Sequence, residues 1–329
     1  MNYTQITQKY QEFRDLISDD LKKRSMRICF IITILGLTIF FIIFRILIHF
    51  FNFPFILEIS KDIDFKVLYK GNLQGLFNFY NYVTIEGWYQ PFPPYYLYFF
   101  YFLFFPISSI PLGVAVYIWD ILRFLLVSYV FWKIPKVFKN KIDIFLFYSM
   151  STLSYFFDAY YNNINFLILL LLFLSYLYFE KNKKWISGIL FALATVKINS
   201  ILFLPALLIV RKIKMKDIIY YIIPFFLLFL PYIIFPNYLF QMLDNWSYSS
   251  FKVPFVSSIF LELFLKGFSF IWRAVQVSQF MFIGFLYLIF LENIKRAKTK
   301  KILRVIIIVA LIIFNICIAI VNILSMLSI

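Results

Sequence analysis

Cysteine and histidine are nearly absent from this chain of 329 residues, which has two of the first and one of the second. Cys29 and Cys317 both lie inside apolar runs, in no Cys-x-x-Cys or Cys/His spacing, so a zinc site and a disulfide framework are excluded. The single His49 argues against catalysis built on histidines. Charge is scarce as well: 15% of the residues are Asp, Glu, Lys or Arg, where an ordinary soluble domain has about a quarter. In their place the chain is 63% apolar and 23% aromatic, with a mean hydropathy of +0.85. Such a composition is that of a polytopic membrane protein. The net charge of +16 would suggest nucleic acid in a soluble chain. Here it implies positively charged cytoplasmic loops, and no nucleic-acid partner is expected. The first 27 residues are polar and helix-compatible, and no small-residue cleavage site follows the first apolar run, which reads as an anchor and not a cleaved signal.

About 20 apolar residues cross a bilayer as a helix, and full-length runs occupy 28–50, 112–132, 142–158, 164–180, 217–235, 268–291 and 303–328. Two further stretches are irregular. Residues 94–109 are short and proline-bounded, and 185–210 is too long for one straight span and is interrupted at Lys197-Ile198-Asn199-Ser200. Of the 32 Lys and Arg, 23 fall in five segments: the N-terminal tail, 133–141, 181–184, 211–216 and 295–304. All five are expected to be cytoplasmic. Residues 185–210 then begin and end on the same side, which predicts a hairpin of two short helices, each of ~12 residues or ~18 Å. Its apex, Lys197 to Ser200, stands deep in the membrane or near the outer face. By the same parity 94–109 is a partly inserted or re-entrant helix, tolerated where protein or water surrounds it. The outer face then carries a long loop at 51–93, a turn at 159–163 and a loop from 236 to about 256, and the chain has no internal repeat.

The long outer loop holds most of the chemistry. Residues 65–82 alternate polar and apolar residues in a manner that fits helices along the membrane surface. Asp62 and Asp64 follow the first span; a carboxylate there suits a general base on a sugar hydroxyl, and equally a helix-capping acidic turn. Lys197, at the apex, suits a lipid phosphate, or snorkels, or pairs with a carboxylate such as Asp158. Asn162, Asn165, Asn245 and Ser247 lie at outer helix ends, where amides and hydroxyls bind sugar hydroxyls or cap helices. Asp120 and Arg123, three apart on one helix, are expected to pair with each other. Arg45 and His49 bind a lipid phosphate or snorkel, and Glu262 and Arg273 are read as structural. Trp88, Tyr89 and Trp246 stack on sugars or anchor at the interface.

Several of these segments resemble, in order, the GT-C class of membrane glycosyltransferases, and within it the mannosyltransferases that depend on polyprenol-phosphate-mannose. Asp64-Phe65, then Tyr69, a turn at Gly75, and Tyr89-Gln90-Pro91-Phe92-Pro93-Pro94 resemble the first outer loop of that class. Asn162-Asn163-Ile164-Asn165 is similar to its Gly-Gln-x-Asn turn, with Asn in place of Gly and Gln. Gly188 with ALATVKINSILFLPALLIVRK is similar to its Gly, Ala, Lys-x-x-Pro helix pair, with Pro205 displaced. Asn245-Trp246-Ser247 is close to its Asn-Gln-Ser.

The resemblance implies an all-α, GT-C-like bundle of about 8 to 10 membrane helices, some short or re-entrant, with a long first outer loop carrying surface helices. It divides the chain into a cytoplasmic tail at 1–27, a catalytic membrane module at 28–260 and C-terminal helices at 261–329. It implies transfer, with inversion, of a hexose, most simply mannose, from a polyprenyl or dolichyl phosphate to a lipid-linked glycan or glycolipid on the outer face of the cell membrane. Asp64 would be the base, with Asp62 as the alternative. Lys197 would face the donor phosphate, and Tyr69, Asn162, Asn165, Asn245, Ser247 and Asp158 would line the substrate site. No metal or other cofactor is expected. Two other readings stay open: a lipid or small-molecule transporter or flippase, for which broken helices and intramembrane charges are also signatures, and a noncatalytic subunit of a glycosyltransferase complex.

Overall fold

The computed structural model describes residues 3–51, 61–85, 91–94, 96–251 and 280–293. Among them the chain forms helices α1 (Tyr3–Phe51), α2 (Ile63–Leu73), α3 (Phe100–Ser108), α4 (Leu112–Val137), α5 (Lys141–Tyr161), α6 (Asn165–Glu180), α7 (Lys184–Ala194), α8 (Phe203–Ile209), α9 (Ile219–Ile234), α10 (Pro236–Phe251) and α11 (Phe280–Asn293). One isolated antiparallel bridge pairs Val83 with Phe92. Among the described residues three stretches are long and apolar enough to cross a membrane: Arg24–Ile48, Leu112–Val137 and Met215–Ile234. The chain is an all-α polytopic membrane protein.

Side-chain exposure separates lipid-facing from interior surfaces. Along α1, Ile28, Ile32, Leu35, Ile39, Ile43 and Leu47 are exposed, while Ile34, Thr38 and Phe41 are buried against α4 and α5. The apolar face left open is the one a bilayer solvates, and the small inward polar group finds a partner: Thr38 Oγ1 lies 2.6 Å from the Tyr155 hydroxyl. Helix α6 is the shared wall of the molecule, packing on α4 and α11 on one side and on α7 on the other. Ser175 of α6 and Ser187 of α7 each donate to the other's carbonyl, both at 2.8 Å. Close approach continues at Gly188, where a Cβ would stand 1.7 Å from the Tyr220 carbonyl oxygen in the first turn of α9. Small residues let helices meet at backbone distance, the usual device of membrane interfaces.

The interrupted segment is two short helices, as its length and charge pattern require. Between α7 and α8 the chain turns through residues 195–202; Ser200 Oγ donates to Ala194 O at 2.8 Å and the Phe191 and Phe203 rings stack at 6.0 Å. Its two ends stay together, for Lys184 pairs with Asp217 at 2.8 Å and Lys212 with Glu180 at 2.6 Å. Helix α3 is likewise short. Helix α2 lies in the segment between the first span and α3 and is mostly buried, packing on α3 with Phe65, Val67, Leu68, Tyr69 and Asn72 inward. Residues 236–256, read from sequence as a loop, contain α10: Met242 is buried while Phe240 and Leu243 are exposed, a two-faced pattern suited to an interface. The tail before residue 28, helix-compatible in sequence, is continuous with the first span as one helix.

Candidate active site

The site is built on the three-residue turn between α5 and α6. Helix α5 ends at Asn162, whose left-handed backbone (φ 58°) lets the Asn162 and Asn163 amides both donate to Asp158 O. Asp62, the residue before α2, is left-handed too (φ 63°). Asn and Asp tolerate this conformation better than other non-glycine residues. The two strained residues hold each other, with Asn162 Nδ2 donating to Asp62 Oδ1 at 2.7 Å and Asp62 N–H donating to Tyr160 O at 3.1 Å.

Each asparagine of the turn bridges a cation to a carboxylate. Asn162 accepts from Arg123 and donates to Asp62. Asn163 accepts from Lys197 on Oδ1, which also takes the Ile164 N–H at 2.7 Å, and donates from Nδ2 to Asp64. The cations on Oδ1 fix which way each amide faces.

The two carboxylates differ in kind. Asp62 is 3% exposed and receives Arg45 in a bidentate pair, Nε to Oδ2 at 2.7 Å and NH2 to Oδ1 at 2.9 Å, with Lys61 on Oδ1 as well. Burial alone would raise its pKa, but Lys61 and Arg45 outweigh it and hold the Asp62 carboxyl well below the usual carboxylate range. Asp64 is half-buried. The network runs inward from Arg45, which also meets Asp120 at 2.7 Å; Asp120 in turn meets Arg123 at 2.8 Å and Arg123 faces Asp158 at 3.3 Å. The Asp120–Arg123 pair is therefore present as its spacing implies, inside a larger lattice that alternates sign.

Lys197 stands outside that lattice. Its Nζ contacts the amide oxygens of Asn163 and of Asn165, the latter at 3.2 Å, and lies 5.9 Å from the Tyr96 ring centroid. The opposite charges that act on it are those of Asp64 and Asp158. Amide oxygens orient an ammonium without neutralising it.

Residues 95–319 match the model of glycosyltransferase family 87. The chain belongs to glycosyltransferase family 87. This is a GT-C-like membrane family. Comparison with curated proteins and with solved structures gave no match.

In this family-87 chain, then, the structure brings Asp64, Lys197, Asn162, Asn165, Asp158 and Asp62 together, around one turn. It does not bring Tyr69 or Asn245 to that turn. The Tyr69 hydroxyl donates to Ile110 O at 2.7 Å and so ties α2 to the chain entering α4. Asn245, on α10, donates to Tyr80 O at 3.0 Å and to Pro94 O at 2.6 Å. The side chains of His49, Trp246 and Ser247, together with Trp88, Tyr89, Glu262, Arg273 and the span at 303–328, lie outside the described residues. Sequence reasoning missed Lys61 and the bridging role of Asn163. The signal for the second was present in the pair of adjacent asparagines, two amides able to face opposite sides of one turn.

Proposed function

We propose that this chain is an inverting glycosyltransferase that moves a hexose, most simply mannose, from a polyprenyl-phosphate carrier to a hydroxyl of a lipid-linked glycan or glycolipid. Family membership supports glycosyl transfer. The observation that carries the site is the triad Asp64–Asn163–Lys197, the part of the cluster in which one amide holds a half-buried carboxylate and a half-buried cation side by side. The family match begins after Asp64, so the assignment of the base rests on this geometry.

The steps follow from the groups. Asp64 takes the proton of the acceptor hydroxyl, whose oxygen attacks the anomeric carbon of the donor sugar as the bond from that carbon to the phosphate oxygen breaks. The leaving polyprenyl phosphate carries its negative charge to Lys197. An ammonium in a membrane costs ~3 kcal/mol or more without a partner, and a phosphate is such a partner. One displacement inverts the centre, so a second carboxylate acting as nucleophile has no role. Asp62, with its oxygens committed to Arg45, Lys61 and Asn162, is a poor base and a good anchor. The reading places the Arg45 end of α1 on the outer face of the cell membrane and the N-terminus in the cytoplasm.

The test is transfer of radiolabelled sugar from polyprenyl-phosphate mannose and polyprenyl-phosphate glucose into a lipid extract of the source membrane by the reconstituted protein. Asp64→Asn is expected to lower transfer by at least about 10²-fold, at the scale of general-base catalysis, while the variant keeps the wild-type melting temperature. A well-folded wild type that consumes neither donor, or an Asp64→Asn variant of full activity, overturns the reading.

A further inference from the structure

A second polar surface lies beside α10. A cleft of about 310 Å³ is lined by Tyr80, Asn81, Tyr82, Gln241, Asp244 and Asn245, at the small end of ligand-sized pockets, roughly 300–1,000 Å³. Gln241, Asp244 and Asn245 are spaced i, i+3 and i+4, so one face of α10 presents all three. The opposite wall is fixed by Gln74 Nε2 donating to Tyr82 O at 3.1 Å and by Asn81 N–H donating to Asn78 O at 2.9 Å. In Asn245, which is 3% exposed, both amide hydrogens are used on carbonyls, which leaves Oδ1 as its accepting atom. Two amides, a carboxylate, a fixed amide oxygen and tyrosines form a surface that accepts hydroxyl protons and packs against sugar rings.

In a chain of net charge +16, the described residues of this lining include no Lys or Arg. It therefore suits a neutral polyol and not a phosphate, which the Lys197 region attracts. The cleft is also mechanically joined to that region. Its wall residue Tyr80 donates to Tyr96 O at 2.9 Å, and the next residue, Leu97, donates from N–H to Val196 O, beside Lys197, at 3.3 Å. A molecule that occupies the cleft is held one short segment away from the apex.

We propose, resting on the transferase reading above, that this cleft is a subsite for an uncharged saccharide: the glycan portion of the acceptor beyond the ring whose hydroxyl reacts. Gln241, Asn81 and Asn245 Oδ1 bind its hydroxyls and Tyr82 covers a ring face.

The test uses the full chain in nanodiscs, with methyl mannoside and mannobiose as free neutral probes and inorganic phosphate as the control, followed by saturation-transfer NMR. Mannobiose is expected to bind wild type, and the double variant Asn81→Ala/Gln241→Ala, at two exposed positions, to bind it at least ten-fold more weakly, with phosphate unaffected. In the transfer assay the same variant is expected to raise the acceptor KM at least ten-fold. Mannobiose bound equally by both proteins, or by neither, overturns the subsite. So does an unchanged acceptor KM in an active enzyme, which leaves the transferase reading standing. Variant-sensitive saccharide binding by a wild type that transfers no sugar would sustain the subsite and remove the transferase reading instead.

Discussion

At the scale of single residues the cluster divides into groups that hold and a group that can react. Asp62 holds: it neutralises Arg45 and Lys61 in a buried setting. Asp62→Asn keeps the shape and removes the charge, leaving Lys61 uncompensated and Arg45 with Asp120 alone. Breaking a buried pair in this way costs roughly 3–5 kcal/mol, seen as a lowered midpoint in thermal denaturation of the detergent-solubilised protein. The same carboxylate sets an acid dependence. Its folded pKa lies below the unfolded one, so the folded state binds fewer protons. The stabilisation is therefore complete above about pH 4 and lost as pH falls further, through the folded pKa. Wild type is expected to lose more stability than Asp62→Asn between pH 5 and 3, and equal losses would refute the assignment. Asn163 acts through its neighbours. Asn163→Asp keeps an acceptor for Lys197 but turns a carboxylate oxygen toward Asp64. Turnover should fall on the order of 10²-fold, the scale of a misplaced catalytic group, and the acidic limb of the pH–rate profile should move to higher pH, because a second carboxylate makes Asp64 harder to ionise. A structural defect alone would lower turnover without moving that limb.

At the scale of elements, the decisive packing is that of the α7–α8 hairpin against its neighbours, since this sets where the apex stands. Gly188 meets the Tyr220 carbonyl at backbone distance, and the hydroxyls of Ser187 and Tyr221 lie 2.8 Å apart. A side chain at 188 must push α7 away from the first turn of α9. Gly188→Leu is expected to cost about 1–3 kcal/mol, the range for overpacking, and to reduce transfer by displacing Lys197, whereas Gly36→Leu, with open space around it, should do neither; thermal stability and turnover of the two variants decide. The hairpin was legible in the sequence because charge parity demands it: positive segments flank an apolar stretch too long to cross once and too short to cross twice in full. Helix α10 was not legible as a helix. Its polar face, Gln241, Asp244 and Asn245, reads as loop composition until packing of Met242 on Tyr232 shows which side is inward. Likewise Asp62 and Asp64 are two carboxylates of equal promise in the sequence. What separates them is Arg45, 17 residues earlier, a tertiary contact that no local spacing encodes.

For the whole molecule the open quantity is orientation. The two ends of the hairpin, with Lys184, Asp217, Lys212 and Glu180, lie at the end of the bundle richest in Lys and Arg, while the Asp64–Asn163–Lys197 group lies at the other, beyond the end of α1 near Arg45. Arg27 at the far end of the first span stacks over Trp132 at 3.7 Å, a cation and an indole of the sort that anchor at an interface. Retention of positive charge in the cytoplasm then predicts that the Asp64–Asn163–Lys197 group faces outward. Asn182, in the turn between α6 and α7, and Asn81, at the cleft, are both exposed, and cysteines placed there report the two sides. In a background with Cys29 and Cys317 replaced by Ser, Asn81→Cys in intact cells should react with a membrane-impermeant maleimide, and Asn182→Cys should react only after the membrane is opened. The opposite pattern would put Asp64 and Lys197 in the cytoplasm, where nucleotide-activated sugars and not polyprenyl-phosphate sugars are the expected donors, and would require the donor class to be assigned anew.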